Sequence, residues 1–270
     1  MLEQKVTKEV WESLTLGNGF IFSKVMLNPE ICKRVLQEIT DLPEIDRIEY
    51  VEAEKTIDVR IDSKGVRLDV YVKDENNTVY NIEMQATDTK ELRQRARYYQ
   101  AMIDLDLIEK GGDYMDLPDS YVIFVCREDI FGEGHYCYTF ENRCLQLDDL
   151  VLDDGTQKIF LNSKGTKGSI SDEAKGFLRF IEGQSSDSPL GKLLEAEVAR
   201  VKSNEKWRVE YVKQYVHDTL NFRNGKEEGK LEIVKKGLEN NVPLETISVM
   251  TGFAISELEE MKLEELKGEA

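Results

Sequence analysis

Residues 66–85, "VRLDVYVKDENNTVYNIEMQ", hold three side chains that could do chemistry inside two otherwise apolar runs. Asp69 interrupts the first run, and Glu83 and Gln85 close the second. Both runs alternate with period two, the pattern of strands, and the intervening Asp-Glu-Asn-Asn is a turn. Val66, Leu68, Val70 and Val72 share one face of the first strand, which leaves Arg67, Asp69 and Tyr71 on the other. Tyr80, Ile82 and Met84 likewise separate from Asn81, Glu83 and Gln85. A three-residue loop at Glu75–Asn77 pairs position 74 with 78, and therefore Asp69 with Glu83. Their Cβ atoms are then about 5 Å apart. A two-residue loop would put the acids on opposite faces, against the apolar pattern.

Like charges directly opposite one another are destabilising unless water or a cation screens them. Mg²⁺ and Mn²⁺ are commonly held by one or two carboxylates, with water and substrate phosphate oxygens completing the shell. Parity alone leaves two readings open: a divalent metal site, or a solvated sheet face carrying ordinary charges.

The surrounding elements must position this hairpin. "PEICKRVLQEI" (29–39) starts with a proline and spaces Ile31, Val35 and Ile39 four apart, which predicts an amphipathic helix. "EKTIDVRID" alternates like the two runs after it, so three strands form an antiparallel meander. Residues 88–108 carry Leu92, Ala96, Tyr99 and Ile103 at helical spacing and stop at "KGG". "SYVIFVC" (120–126) is a continuous apolar run suited to a strand covered on both faces, and "HYCYTF" and "KIFLN" predict two more strands. Residues 190–222 read as helix, with Val209, Val212, Val216 and Leu220 on one stripe, and "NGKEEGK" reads as a hinge.

Composition excludes several classes. With 40% hydrophobic and 33% charged residues, the chain has the makings of a globular fold. Its formal charge of -17 opposes non-specific attraction to nucleic acid, although "KELRQRAR" (90–97) sets four bases against one acid. No apolar run is long enough to span a membrane, and "MLEQKVTKEVWESL" lacks the apolar stretch of a signal peptide. Cys32, Cys126, Cys137 and Cys144 form no CxxC pair, which suits reduced thiols and a cytoplasmic location. The two histidines, His135 and His217, fall on separate elements and cannot make a histidine-rich metal site. The "LGNG" at 16–19 lacks a preceding strand, and no GxxxxGK[ST] occurs.

The order helix, meander with Asp on its second strand and Glu-x-Gln on its third, basic helix, apolar strand resembles the PD-(D/E)XK nuclease superfamily. Within it the chain is most similar to the Rpn family of recombination-promoting nucleases, through "GNGFIFSKVMLNPEICKRVLQEI", the hairpin, "RARYYQAMID", "YVIFVC" and "KIFLN". The resemblance implies an α/β restriction-endonuclease-like core with a helical C-terminal extension. It implies a Mg²⁺- or Mn²⁺-dependent DNA endonuclease linked to recombination or mobile elements, with Asp69 and Glu83 as metal ligands. Gln85 stands where the superfamily has lysine, as in the nearer family, so it can orient water but supplies no charge. Lys90, Arg93 and Arg95 on the next helix are candidates for that charge. Arg95 and Tyr99 match the family's R-x-x-x-Y pattern as supporting residues, and Glu38 is the candidate acid from the first helix. The alternative is a decayed module of the same fold that binds DNA or a protein partner.

Residues 1–222 are therefore expected to form the nuclease-like domain, including a long C-terminal helix, and residues 223–270 a tail resembling a helix-turn-helix. The second helix of that tail, "AISELEEMKLEEL", carries five glutamates and one lysine, which suits oligomerisation better than phosphate contact.

Overall fold

The computed structural model describes residues 2–39, 44–58, 64–147 and 149–268, the first six and last six of these by backbone alone. The chain divides into two compact units, Met1–Trp207 and Arg208–Ala270. In the first, helices α1 (Leu2–Ser13), α2 (Gly19–Met26) and α3 (Pro29–Ile39) precede strands β1 (Ile48–Ile57), β2 (Val66–Asp74) and β3 (Val79–Gln85). Helix α4 (Leu92–Leu107) leads to β4 (Ser120–Cys126), β5 (Cys137–Phe140) and β6 (Thr156–Asn162), then α5 (Asp172–Ile181) and α6 (Pro189–Ser203). One six-stranded sheet results, in the order β1-β2-β3-β4-β6-β5. The meander is antiparallel, β3, β4 and β6 are mutually parallel, and β5 returns antiparallel on β6. This is the α/β architecture expected. Part of the run "EKTIDVRID" (59–62) lies outside the described residues.

The hairpin register follows from its turn. Asp74 Oδ1 accepts the N–H groups of Asn76 and Thr78, both at 2.9 Å, and Asn77 takes the left-handed conformation at φ +63°. Asparagine tolerates that conformation where most residues do not. Asp74 N–H then donates to Thr78 O, and the observed pairs Val70–Ile82, Tyr71–Asn81 and Val72–Tyr80 follow. The expected loop of three residues and the opposition of 69 and 83 are both present.

The two faces of the sheet are covered differently. Helix α4 packs Leu92, Ala96, Tyr99, Met102 and Ile103 against Tyr71, Val122, Phe124 and Phe160. Helices α2, α3, α5 and α6 pack together on the other side, with Phe22, Leu36, Leu178 and Leu194 buried. The face carrying Asp69 and Glu83 is therefore not a solvated one. Asn81 is 0% exposed and Glu83 2%. The parity argument assigned these residues to one face correctly, but α4 buries that face.

In the second unit, α7 (Glu205–Glu239) is followed by α8 (Leu244–Thr251) and α9 (Ile255–Gly268). Val234, Ile247 and Leu258 form its small core, with Leu238, Val242 and Phe253 against them. Gly237 permits the close approach of α7 and α8, since a Cβ there would stand 2.7 Å from Ile247 Cδ1. Gly252 ends α8 at φ +78°, a left-handed cap. "NGKEEGK" makes no break: α7 runs through it, so the expected boundary after Phe222 falls inside a continuous helix. The break lies earlier, at Asn204, whose Oδ1 accepts from Lys206 and Trp207 N–H and starts α7. Among the described residues no helix is long and apolar enough to cross a membrane.

Candidate active site

The β2–β3 ladder stops at Val70–Ile82, one pair short of the acids. There the carboxylates take over the backbone donors. Asp69 N–H donates to Glu83 Oε1, and Met84 N–H donates to Asp69 Oδ2, each at 3.0 Å. These bonds satisfy backbone donors that the ladder no longer pairs, so the side chains that open it also cover the opening. Strand alternation breaks at the same point, because Val66 and Leu68 join the buried cluster of Tyr71 and α4. On β1 the flanking pairs Ala53–Val70 and Lys55–Leu68 leave Glu54 opposite Asp69, and Glu54 has φ +58°.

Helix α4 brings the cation. Arg95 donates from Nη1 to Gln85 Oε1 at 3.0 Å, and from Nη2 to Glu83 Oε2 at 3.3 Å and to Tyr99 Oη at 2.9 Å. Arg95 and Tyr99 lie one turn apart on the same helical face, which places both over the acids. The guanidinium also sits over the rings of Tyr99 and Phe124, 5.2 and 5.6 Å from their centroids. Gln85 is fixed from its other end, donating from Nε2 to Thr87 O at 2.6 Å.

One guanidinium does not neutralise two facing carboxylates, one buried and one partly buried. Burial, and then the charge of Asp69, pushes Glu83 up to about 8, against the opposing pull of the Asp69 N–H and Arg95. Burial also raises Asp69, opposed by the Met84 N–H, Arg95 and Arg67, while Glu54 adds to the rise. The pair therefore retains a proton near neutrality unless a further cation arrives. Asn81, two residues before Glu83 on the same face, favours the charged form of Glu83 through its dipole without reaching hydrogen-bond geometry. Its amide atoms and the hydroxyl of Tyr71 opposite it are buried without a hydrogen-bond partner among the described residues.

Five of the eight residues singled out by sequence thus meet: Asp69, Glu83, Gln85, Arg95 and Tyr99. Three do not. Glu38 lies on α3, in the layer on the far side of the sheet, where its Oε2 accepts from Ser171 Oγ at 2.8 Å. The meander separates it from Asp69, which corrects its placement as a metal ligand. Lys90 has φ +64°, is highly exposed and pairs with Asp88. Arg93 donates to Ile130 O instead of reaching the acids. Glu54 and Arg67, 3.8 Å apart beside Asp69, were missed. Only the β1–β2 register reveals them, and no short turn motif announces that register.

The donor set suits a hard divalent ion. Among the described residues no group of three or more His, Cys, Asp or Glu could hold a metal. Two carboxylates suffice when water and phosphate oxygens complete the shell. Asp69 Oδ1 takes no hydrogen bond from the described residues and is free to coordinate.

A family model described as PD-(D/E)XK nuclease family transposase matches residues 20–223. Neither the curated proteins nor the solved structures yield a match. The match covers most of the chain, which belongs to the PD-(D/E)XK nuclease family transposases.

Proposed function

With that membership as the premise, we propose that the protein is a Mg²⁺- or Mn²⁺-dependent endonuclease that hydrolyses DNA phosphodiester bonds, in recombination or the movement of mobile elements. The observation that carries the reading is the opposition of a buried carboxylate, Glu83, and a partly buried one, Asp69, with one guanidinium between them and the helix above. Asp69 and Glu83 would hold the ion, which when bound lowers the pKa of a water and neutralises the scissile phosphate. Gln85 orients the attacking water through its amide. Arg95 keeps Gln85 and Glu83 in register and supplies the positive charge that lysine would bring in the wider superfamily. Tyr99 fixes the Arg95 fork from above.

The second reading, a decayed module that binds DNA or protein, is favoured by the ion pair that occupies Glu83 Oε2. Calorimetric titration with Mn²⁺ separates the two. The nuclease reading requires binding that Asp69→Asn abolishes, and nicking of supercoiled plasmid that depends on the same metal. Absence of both with a folded protein leaves only the module. The exposed Val209, Val216, Leu220 and Phe222 of α7 support self-association through the C-terminal helices.

A further inference from the structure

The sheet carries a second feature in the same row as Glu83. Glu83 pairs with Phe124 across β3–β4, and Phe124 with Phe160 across β4–β6. Two strand spacings put Phe160 about 10 Å from Glu83, on the other flank of α4. Phe160 lines a pocket of about 230 Å³ with Phe131 and Phe140, and its ring meets each of theirs edge to face, with centroids 5.2 and 5.8 Å away. Arg93, Arg97 and Lys158 also line it.

The wall is built, not floppy. Asp129 accepts the N–H groups of Phe131, Gly132 and Gly134 and the hydroxyl of Tyr138 at 2.7–3.1 Å, so one carboxylate holds the whole loop that presents Phe131. Arg93 lies over the Phe131 ring, 4.9 Å from its centroid, and donates to Ile130 O. Lys158 donates to Thr156 Oγ1, and Arg97 has no partner among the described residues. Phe140 is 42% exposed at the mouth.

Three phenylalanines inside three cations, on a chain of charge -17, select a ligand that is flat, apolar on its faces and attached to negative charge. A nucleobase on its phosphodiester chain has that chemistry. The pocket is smaller than the roughly 300 Å³ at which drug-sized ligand sites begin, which suits one ring. A base within a duplex is stacked and paired and cannot enter without being extruded. We propose that this pocket holds one unpaired base of the DNA beside the cut, so that the substrate is single-stranded or carries unpaired nucleotides next to the scissile bond. The proposal rests on the nuclease reading for the word substrate, but the binding site stands on its own geometry.

The test is anisotropy titration of a fluorescein-labelled single strand of about 12 nucleotides, and of the same sequence as a duplex, in chelator so that nothing is cleaved. Wild type should bind the single strand more tightly. Phe140→Ala should weaken it by roughly 5- to 150-fold, the range expected for one base–aromatic stack, and leave the duplex unchanged. Phe140→Trp should keep the affinity, and the single strand should quench the emission of the added ring. Equal effects of Phe140→Ala on both forms, or none on either, would overturn the proposal, as would an unquenched Phe140→Trp. Displacement of the strand by millimolar deoxynucleoside monophosphate would also overturn it and make the pocket a free-nucleotide site. If wild type binds in this Phe140-dependent way but cleaves with neither Mg²⁺ nor Mn²⁺, the nuclease reading fails and the pocket stands. If it cleaves and Phe140→Ala has no effect on binding, the reverse holds.

Discussion

Strand β2 carries one acid near its middle, Asp69, and one at its C-terminal end, Asp74, and the two are used in opposite ways. Asp74, 3% exposed, is fully engaged: Oδ1 accepts from Asn76 and Thr78, and Oδ2 accepts from Tyr80 Oη at 2.9 Å. Its bonds build the turn that sets the register. Asp69 is only partly buried, faces a second carboxylate, keeps Oδ1 free of the described residues, and is pushed above the usual carboxylate range. A buried acid with both oxygens hydrogen-bonded belongs to the fold. A partly buried acid left incompletely satisfied beside a like charge is held there by the rest of the structure, and that arrangement marks a site. The difference teaches that the count of donors separates the two as well as burial does.

Exchanging the roles is the sharpest way to break the comparison. Asp69→Ala should lower metal-dependent plasmid cleavage by on the order of 10³-fold, corresponding to several kcal/mol of lost metal-borne stabilisation, with a native circular dichroism spectrum. Asp74→Ala should do the converse. Loss of bonds to a charged acceptor should cost about 2–3 kcal/mol in urea unfolding, while activity per folded molecule survives. If Asp69→Ala unfolds the protein or Asp74→Ala kills the folded enzyme, the division of labour is wrong.

A third prediction uses proton linkage. Glu83 has its folded pKa raised from 4.5 to about 8, so between those values the folded state binds more protons than the unfolded state. Stability without metal therefore falls as pH rises through that window. Thermal unfolding in chelator should show this slope, Mn²⁺ should flatten it, and Glu83→Gln should remove it. A slope of unchanged size in Glu83→Gln would assign it to another group.

Smaller effects are expected further out. Gln85→Ala should reduce cleavage roughly tenfold by releasing Arg95. Gln85→Lys should not restore the superfamily pattern, because it removes the acceptor for Arg95 and sets a second cation beside it. Higher activity in the lysine variant would show that Arg95 does not supply the charge. Lys90→Ala should change cleavage by less than about twofold, since its exposed pairing with Asp88 points it elsewhere.

What was legible in the sequence was what short-range physics controls. The turn chemistry at Asp74–Thr78 and the apolar alternation next to it, from Val70 to Met84, allow one register that sets Asp69 opposite Glu83, although Val66 and Leu68 leave the face that alternation gave them. Helix spacing in α4 put Arg95 and Tyr99 on one face for the same reason. Helix α7 misled because two glycines in "NGKEEGK" suggest a hinge, yet nothing crowds either of them and the helix continues at a modest propensity cost.

The tertiary structure alone decided which face of the sheet α4 would cover, and with it the burial that raises Glu83 and Asp69. It also carried Glu38 to the far layer, set Glu54 opposite Asp69, and aligned Glu83, Phe124 and Phe160 in one row although they are far apart in the chain. The physical reason is range. A turn and a strand period are determined within a few residues, whereas desolvation and the sharing of a row depend on which distant segments pack together, and no local pattern encodes that choice.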